Sequence, residues 1–228
     1  MNEYYTRSEA LLGEKTMDLL RTKRVIIFGV GGVGSWAAEA LVRTGLTHLT
    51  LVDGDIVQAS NINRQLPATR ATLGQPKVEA LKERLLAINP DAKIEARMEM
   101  VNGEWLEANG LAEYAYVIDA IDSVADKTDL ILYATRVRGL KIFSSMGAAL
   151  RFDPTKVTTG ELMDIKGDAL AKAVRARMKR LQMKPLRKVK CVYSTEQAQR
   201  CETRGSLMQV TAVFGCTLAS MVIEDIRA

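Results

Sequence analysis

Residues Arg24 to Gly34 read RVIIFGVGGVG, and the fold follows from how this stretch is parsed. Val25-Ile26-Ile27-Phe28 is a short apolar run ending in glycines, the pattern of a parallel strand buried on both faces. Gly29, Gly31 and Gly34 then satisfy G-x-G-x-x-G, with Gly32 beside them, and open a helix predicted from about residue 32 to 44. The first glycine permits a tight turn, the second lets a phosphate approach the backbone, and the third allows close helix–strand packing. The helix start offers unpaired N–H groups to an anion. Asp53 lies 19 residues beyond Gly34, at the end of a second predicted strand, 49–52, where an acid can accept hydrogen bonds from ribose hydroxyls. This spacing predicts a nucleotide site but does not separate NAD from ATP, since both present an adenosine ribose beside phosphates.

Outward from this unit, strand and helix alternate with short connections. Pro76 to Ile88 reads as a helix with proline at its first position. Further strands are predicted at 93–98, 115–119 and 140–144, and a helix at 124–138. A capping box, Thr6-Arg7-Ser8-Glu9, precedes an N-terminal helix carrying Leu11, Leu12, Met17 and Leu20. The expected class is α/β, a Rossmann-like doubly wound and mostly parallel sheet. Residues 1–150 form the nucleotide-binding adenylation core. Residues 151–228 form a C-terminal extension within one compact domain, with strands at 157–165 and 189–193, a basic helix at 168–182 and an uncharged helix at 207–223.

The 228 residues are 47% apolar and 26% charged, ordinary for a globular chain. There is no secretory leader pattern. The uncharged run 207–223 falls short of the roughly 20 apolar residues of a membrane span, so no span and a cytoplasmic location are expected. Cys191, Cys201 and Cys216 make an odd set without C-x-x-C pairs, which argues against a disulfide framework and a four-thiolate zinc site. With His48 as the only histidine, the chemistry must run on cations, carboxylates, backbone amides or a thiol.

The net charge of +5 is concentrated. Nine basic residues and no acid lie between Lys172 and Lys190, and acids outnumber bases in the rest of the chain. Arg175, Arg177, Lys179, Arg180, Lys184, Arg187 and Lys188 are the candidate contacts to a polyanion such as RNA.

The nucleotide is decided by the loop after Asp53, Ser60-Asn61-Ile62-Asn63-Arg64-Gln65, and by Lys77. A dinucleotide's diphosphate carries about two charges that glycine-loop amides can handle, whereas a triphosphate calls for added cations or a metal. Arg64 can grip phosphate oxygens with two donors and Lys77 supplies a point charge. Lys77 sits in the first turn of its helix, where the dipole disfavours a cation unless an anion lies nearby. Asp122, three residues past Asp119 at the end of a strand, is placed to hold Mg²⁺.

In order, Gly29–Gly34, Asp53-Gly54-Asp55, Asn61-Ile62-Asn63-Arg64-Gln65, Gly74-Gln75-Pro76-Lys77 and Asp119-x-x-Asp122 resemble the ThiF/MoeB/HesA superfamily, relatives of the ubiquitin-activating enzymes. The resemblance implies ATP as substrate, Asp53 on the ribose, and Arg64 and Lys77 on phosphates. It implies Asp122 at the metal and reacting centre, with Gly29, Gly31, Gly32, Gly34, Asn61, Asn63 and Gln65 completing the ATP site. Tyr4-Tyr5-Thr6-Arg7 is similar to the superfamily's R-Y-x-R start, with Tyr4 in place of its first arginine. Arg7 would then reach a neighbouring subunit's ATP site, implying a homodimer.

Arg7–Gly13, Asn61–Pro67, Lys190–Ser194 and Gly205-Ser206 are further similar to the branch of tRNA threonylcarbamoyladenosine dehydratases, although 196–204 is short for that branch. There a carboxylate on a modified tRNA adenosine is adenylated, and a nitrogen of the same side chain displaces AMP to close a ring. The resemblance leaves open a monovalent cation, a cysteine-desulfurase or sulfur-acceptor partner, and a chemical role for Cys191. The second reading is adenylation of a ubiquitin-like sulfur carrier's C-terminus. An NAD oxidoreductase lacks a proton-transfer histidine, and a non-catalytic nucleotide-sensing RNA module would bind ATP without turnover.

Overall fold

The computed structural model describes residues 3–199, 201–202 and 205–228, so Arg200, Thr203 and Arg204 of the stretch 196–204 lie outside the described residues. Its chain order is α1 (Thr6–Leu12), α2 (Glu14–Thr22), β1 (Arg24–Phe28), α3 (Gly34–Thr44), β2 (His48–Val52), α4 (Lys77–Ile88), β3 (Lys93–Arg97), α5 (Gly103–Asn109), β4 (Tyr116–Asp119), α6 (Val124–Ala134), β5 (Lys141–Ser145), β6 (Val157–Glu161), α7 (Ala169–Arg180), β7 (Lys190–Ser194) and α8 (Met208–Arg227). The seven strands form one sheet in the order β3-β2-β1-β4-β5-β7-β6, parallel except for β6, which pairs antiparallel with β7. The chain reverses direction across the sheet between β1 and β4, so the carboxyl ends of these strands open a crevice, the place where such sheets bind ligands.

β1 shows why its residues make a strand. Val25 and Ile27 enter the core layer shared with α3, α4 and α8, while Ile26 and Phe28 enter the layer formed with α5, α6 and α7. All four are fully buried. A chain buried on both faces carries no polar alternation, and its β-branched residues suit the pleat. β7 of the C-terminal extension joins β5 in parallel register, Ser144 opposite Cys191.

Several expectations change, among them the helix expected to reach residue 138, which ends at Ala134. Thr6 does not cap the first helix: it is the first helical residue, and its hydroxyl donates to the Glu3 carbonyl at 2.8 Å. The single N-terminal helix is two, broken at Gly13. A helix absent from the sequence reading, α5, starts at Asn102, whose side chain accepts from Trp105 N at 2.8 Å. Its short polar pattern carries too few apolar positions to show a helical period. The strand expected to run to residue 165 ends at Glu161, since Asp164 N and Ile165 N turn back to the Glu161 carbonyl.

At 20 residues, α8 has the length and composition of a membrane-crossing helix, and half of it is buried in the fold. Val210, Phe214, Leu218 and Val222 belong to the core layer that contains α3. Gly215 lets α3 approach so closely that a Cβ there would lie 2.5 Å from the Val33 carbonyl.

Candidate nucleotide and adenylation site

The carboxyl ends of β1, β2, β4 and β5 enclose an open cleft of about 330 Å³, lined on one side by Gly29, Gly31, Gly32, Asp53, Arg64 and Lys77. Gly29 has φ +82, and a Cβ on it would lie 2.8 Å from the Ala120 carbonyl, so both conformation and space require glycine. A Cβ on Gly34 would fall 1.8 Å from the Gly29 carbonyl. Gly34, expected in the ATP set, does not line the cleft: it brings the helix start against the turn. Asp53 ties the end of β2 to this turn by accepting from Val30 N at 2.8 Å and from Asp55 N at 2.9 Å. Burial raises its pKa, and the Asp55 amide, the Lys77 charge and the Val30 amide offset part of that rise. Each Asp53 oxygen keeps a lone pair for a ribose hydroxyl.

The polar groups around Arg64 aim its guanidinium. Arg64 Nη1 donates to the Ser60 carbonyl at 2.8 Å and to Asn63 Oδ1 at 2.9 Å. Its own carbonyl accepts from Trp36 Nε1 at 3.1 Å. Among the described residues Nε and Nη2 make no hydrogen bond, so half of the guanidinium fork is free at the cleft wall. Asn63 and Asn61, both expected on ATP, do not line the cleft. Asn63 Nδ2 anchors to the Ser206 carbonyl at 2.9 Å, and Asn61 Oδ1 closes its own turn by accepting from Gln58 N at 3.0 Å. Their side-chain amides build the loop that carries the arginine. Gln65 does line the cleft; it is 8% exposed and its Oε1 has no partner among the described residues.

Pro76 is the N-cap of α4 rather than its first residue, which makes Lys77 the first helical position. Lys77 is 6% exposed and its ammonium meets Asp55 Oδ2 at 2.7 Å. That carboxylate accounts for the cation at a helix N-terminus, where an anion was expected.

A second wall consists of residues 120–123 after β4, Asp126, residues 145–149 after β5 and Leu170, whereas Ser206 and Thr211 lie with the Arg64 loop and Gly32. Asp122 is exposed there and makes no hydrogen bond among the described residues. No group of three or more His, Cys, Asp or Glu fit to hold a metal occurs among the described residues. A cation at Asp122 would draw most of its other ligands from phosphate and water oxygens, the habit of Mg²⁺, with Asp126 the further carboxylate on the same stretch of the lining. Beneath this wall lies a pair the sequence reading missed: Lys127 Nζ meets Asp119 Oδ2 at 2.7 Å, both side chains fully buried. The available signal was a lysine in the first turn of the helix Val124–Ala134, a few residues beyond the aspartate that ends the preceding strand. Glu99, Met100 and Val101, also unforeseen, line the end next to Val52.

Arg7 is exposed on α1 and is not part of its own protomer's cleft. The basic segment divides. Arg187 spends its guanidinium on the Ala134, Thr135 and Val137 carbonyls at the end of α6. Arg177 pairs with Asp129, and Arg175 donates to the Leu162 carbonyl. Lys179, Arg180 and Lys184 are exposed, as is Lys188, which is 86% exposed with Glu161 at 3.5 Å.

Cys191 is fully buried in β7, and burial pushes its thiol up to about 12, leaving almost no thiolate at neutral pH. Native protein treated with iodoacetamide at pH 8 should therefore be labelled at the exposed Cys201 and stay unlabelled at Cys191 until denatured. Peptide mass spectrometry checks this. Rapid native labelling of Cys191 would restore it as a candidate nucleophile.

Residues 5–226 match the model of the ThiF family. The tRNA threonylcarbamoyladenosine dehydratase of Bacillus subtilis (strain 168) is 37% identical over 196 residues, 86% of this chain and 76% of that protein. The crystal structure of the E. coli tRNA N6-threonylcarbamoyladenosine dehydratase in complex with ATP superposes with a TM-score of 0.92 at 35% identity, covering 98% of this chain and 93% of that one. The molybdopterin-synthase adenylyltransferase of Escherichia coli (strain K12) is 39% identical over 113 residues, but this spans only 50% of the chain and 45% of that protein.

Proposed function

The chain belongs to the ThiF family, and from that premise we propose that it is an ATP-dependent tRNA threonylcarbamoyladenosine dehydratase. The observation that carries this is the half-free Arg64 fork and buried Lys77 on one wall of the cleft, facing the unpaired Asp122 on the other. The likeness to dehydratases runs through most of the chain, including the C-terminal extension.

ATP lies with its ribose on Asp53 and its phosphates along the glycine-loop amides. The substrate carboxylate attacks the α-phosphorus, the bond to the bridging oxygen breaks, and pyrophosphate leaves with its electron pair. Two anions must meet, so Arg64 and Lys77 act by stabilising charge and fixing an in-line approach. A Mg²⁺ at Asp122 would neutralise part of the phosphate charge. The side-chain nitrogen then attacks the activated carbonyl, AMP departs with the former carboxylate oxygen, and the nitrogen's proton is lost. No protein nucleophile is consumed, which agrees with the burial of Cys191.

The polyanion face comprises Lys179, Arg180, Lys184 and Lys188. Replacing all four by alanine should weaken tRNA binding about 10-fold or more and flatten its salt dependence by about 0.7–0.9 per lost phosphate contact. ATP affinity should be unchanged. Filter binding over a salt series measures both, and an unaltered slope would move the RNA elsewhere.

A homodimer is part of the proposal. Leu11 is 81% exposed and borders a groove with Leu12, Ala219 and Ile223, an apolar surface that a second copy would cover while its Arg7 completes the neighbouring site. A cytoplasmic location is likewise proposed.

The decisive experiment incubates the protein with ATP, Mg²⁺ and tRNA bearing open threonylcarbamoyladenosine. Mass spectrometry should show that nucleoside losing one water, with one AMP formed per ring. Unchanged nucleoside with intact ATP would overturn the proposal. Pyrophosphate release driven by a sulfur-carrier protein instead of RNA would establish the adenylyltransferase reading.

A further inference from the structure

Asp119, Lys127 and Ser144 are all 0% exposed, yet two are charged and none touches the cleft. Such a pair is not explained by stability, since well-packed apolar residues of similar volume commonly serve a fold as well or better. Its hydrogen bonds show what it holds. Asp119 Oδ2 accepts from Lys127 Nζ at 2.7 Å and from Ser144 Oγ at 2.6 Å. Asp119 Oδ1 accepts from Ile121 N at 3.1 Å, which shapes the turn carrying Asp122. Lys127 Nζ also donates to Ser144 Oγ at 3.2 Å and to the Ser145 carbonyl at 2.9 Å, where the chain leaves β5 for residues 145–149. A single ammonium thus joins two turns that leave neighbouring strands and form one wall of the cleft.

We propose that Lys127 is a positioning residue for the adenylation reaction: by locking the turn after β4 to the turn after β5, it fixes Asp122 relative to the wall on which the second substrate must lie. This rests on the reading of Asp122 as part of the reacting centre. Each turn has anchors of its own, Ala120 N on the Phe28 carbonyl for the first and Met146 N on the Val192 carbonyl and Gly147 N on Asp168 Oδ2 for the second, and Lys127 adds the tie from one turn to the other. The ammonium reaches both turns from below without contacting ATP. It therefore acts on the rate through geometry and leaves the glycine-loop contacts to the nucleotide untouched.

Two variants test this against the wild type. Ser144→Ala removes one hydroxyl from the cluster and keeps the ion pair. Lys127→Met combined with Asp119→Asn removes both charges together, and the carboxamide introduced by the second substitution retains an acceptor for Ile121 N. The expected result is a fall in kcat for tRNA-dependent AMP formation, about 5-fold for the first and about 100-fold for the second, with the equilibrium Kd for ATP within about twofold. Amide hydrogen exchange should quicken at 120–123 and 145–149 and stay unchanged in Gly29–Gly34. Wild-type kcat in both variants would overturn the proposal. So would a loss of ATP affinity in step with the rate, or exchange that quickens throughout the sheet, because either marks a general scaffold. If the double variant does not fold, Ser144→Ala decides alone by the same three readouts. A wild type that makes no AMP counts against the proposed function, whereas an active wild type with equally active variants counts against Lys127.

Discussion

Replacing Arg64 by alanine is expected to lower kcat for AMP formation by about 10³-fold, equivalent to about 4 kcal/mol of transition-state stabilisation. The size follows from preorganisation. Nη1 is held by the Ser60 carbonyl and Asn63 Oδ1, so the remaining donors are already aimed when charge moves onto the departing pyrophosphate. Loss of a donor fixed in this way costs far more in the transition state than in the ground state. Affinity for ATP should accordingly fall by about 10-fold or less. Arg64→Lys should recover little, because a point charge lacks the second donor and the planar fork. Rapid-quench measurement of a single turnover separates chemistry from product release. An unaltered burst rate in Arg64→Ala would mean that the guanidinium serves only the loop.

Asp122→Asn is expected to lower kcat by about 10²–10³-fold with almost no effect on folding. The carboxylate is exposed and has no hydrogen-bond partner among the described residues, so the isosteric amide should leave the melting temperature within about 2 °C. Asp119→Asn, three residues earlier, should behave in the opposite order. It strips the charge from a buried partner of Lys127 and leaves that ammonium unpaired, so loss of stability should dominate. Thermal melts run beside the AMP assay distinguish the two. A normal rate in Asp122→Asn would remove the carboxylate from the reacting centre and, with it, the place proposed for the metal.

How far the site was legible depends on the range of the interactions involved. Gly29, Gly31, Gly32, Asp53, Arg64, Gln65, Lys77 and Asp122 were named from spacing, charge and resemblance, and all of them line one cleft. Asn61, Asn63 and Gly34 belong to the same motifs but support the backbone, a difference that motif spacing does not carry. Asn63 acts by reaching Ser206, 143 residues away. The basic segment read as one patch because charge was counted along the chain. In three dimensions Arg187 completes the end of α6 and Arg177 meets Asp129 on the same helix.

By itself the sequence determined the elements whose cause is local: the β-branched run at Val25–Ile27, the glycines whose missing side chains the turn requires, and the acid at the end of the next strand. Those interactions act within a few residues, or within one strand–helix–strand unit, so composition and period record them. Tertiary structure alone decided which polar groups face the cleft, which brace it, and where charge is buried. Asp119, Lys127 and Ser144 come from three successive elements and meet only because β4, α6 and β5 pack together. Burial removes the water that would otherwise satisfy each group separately, and that makes the cluster a single device.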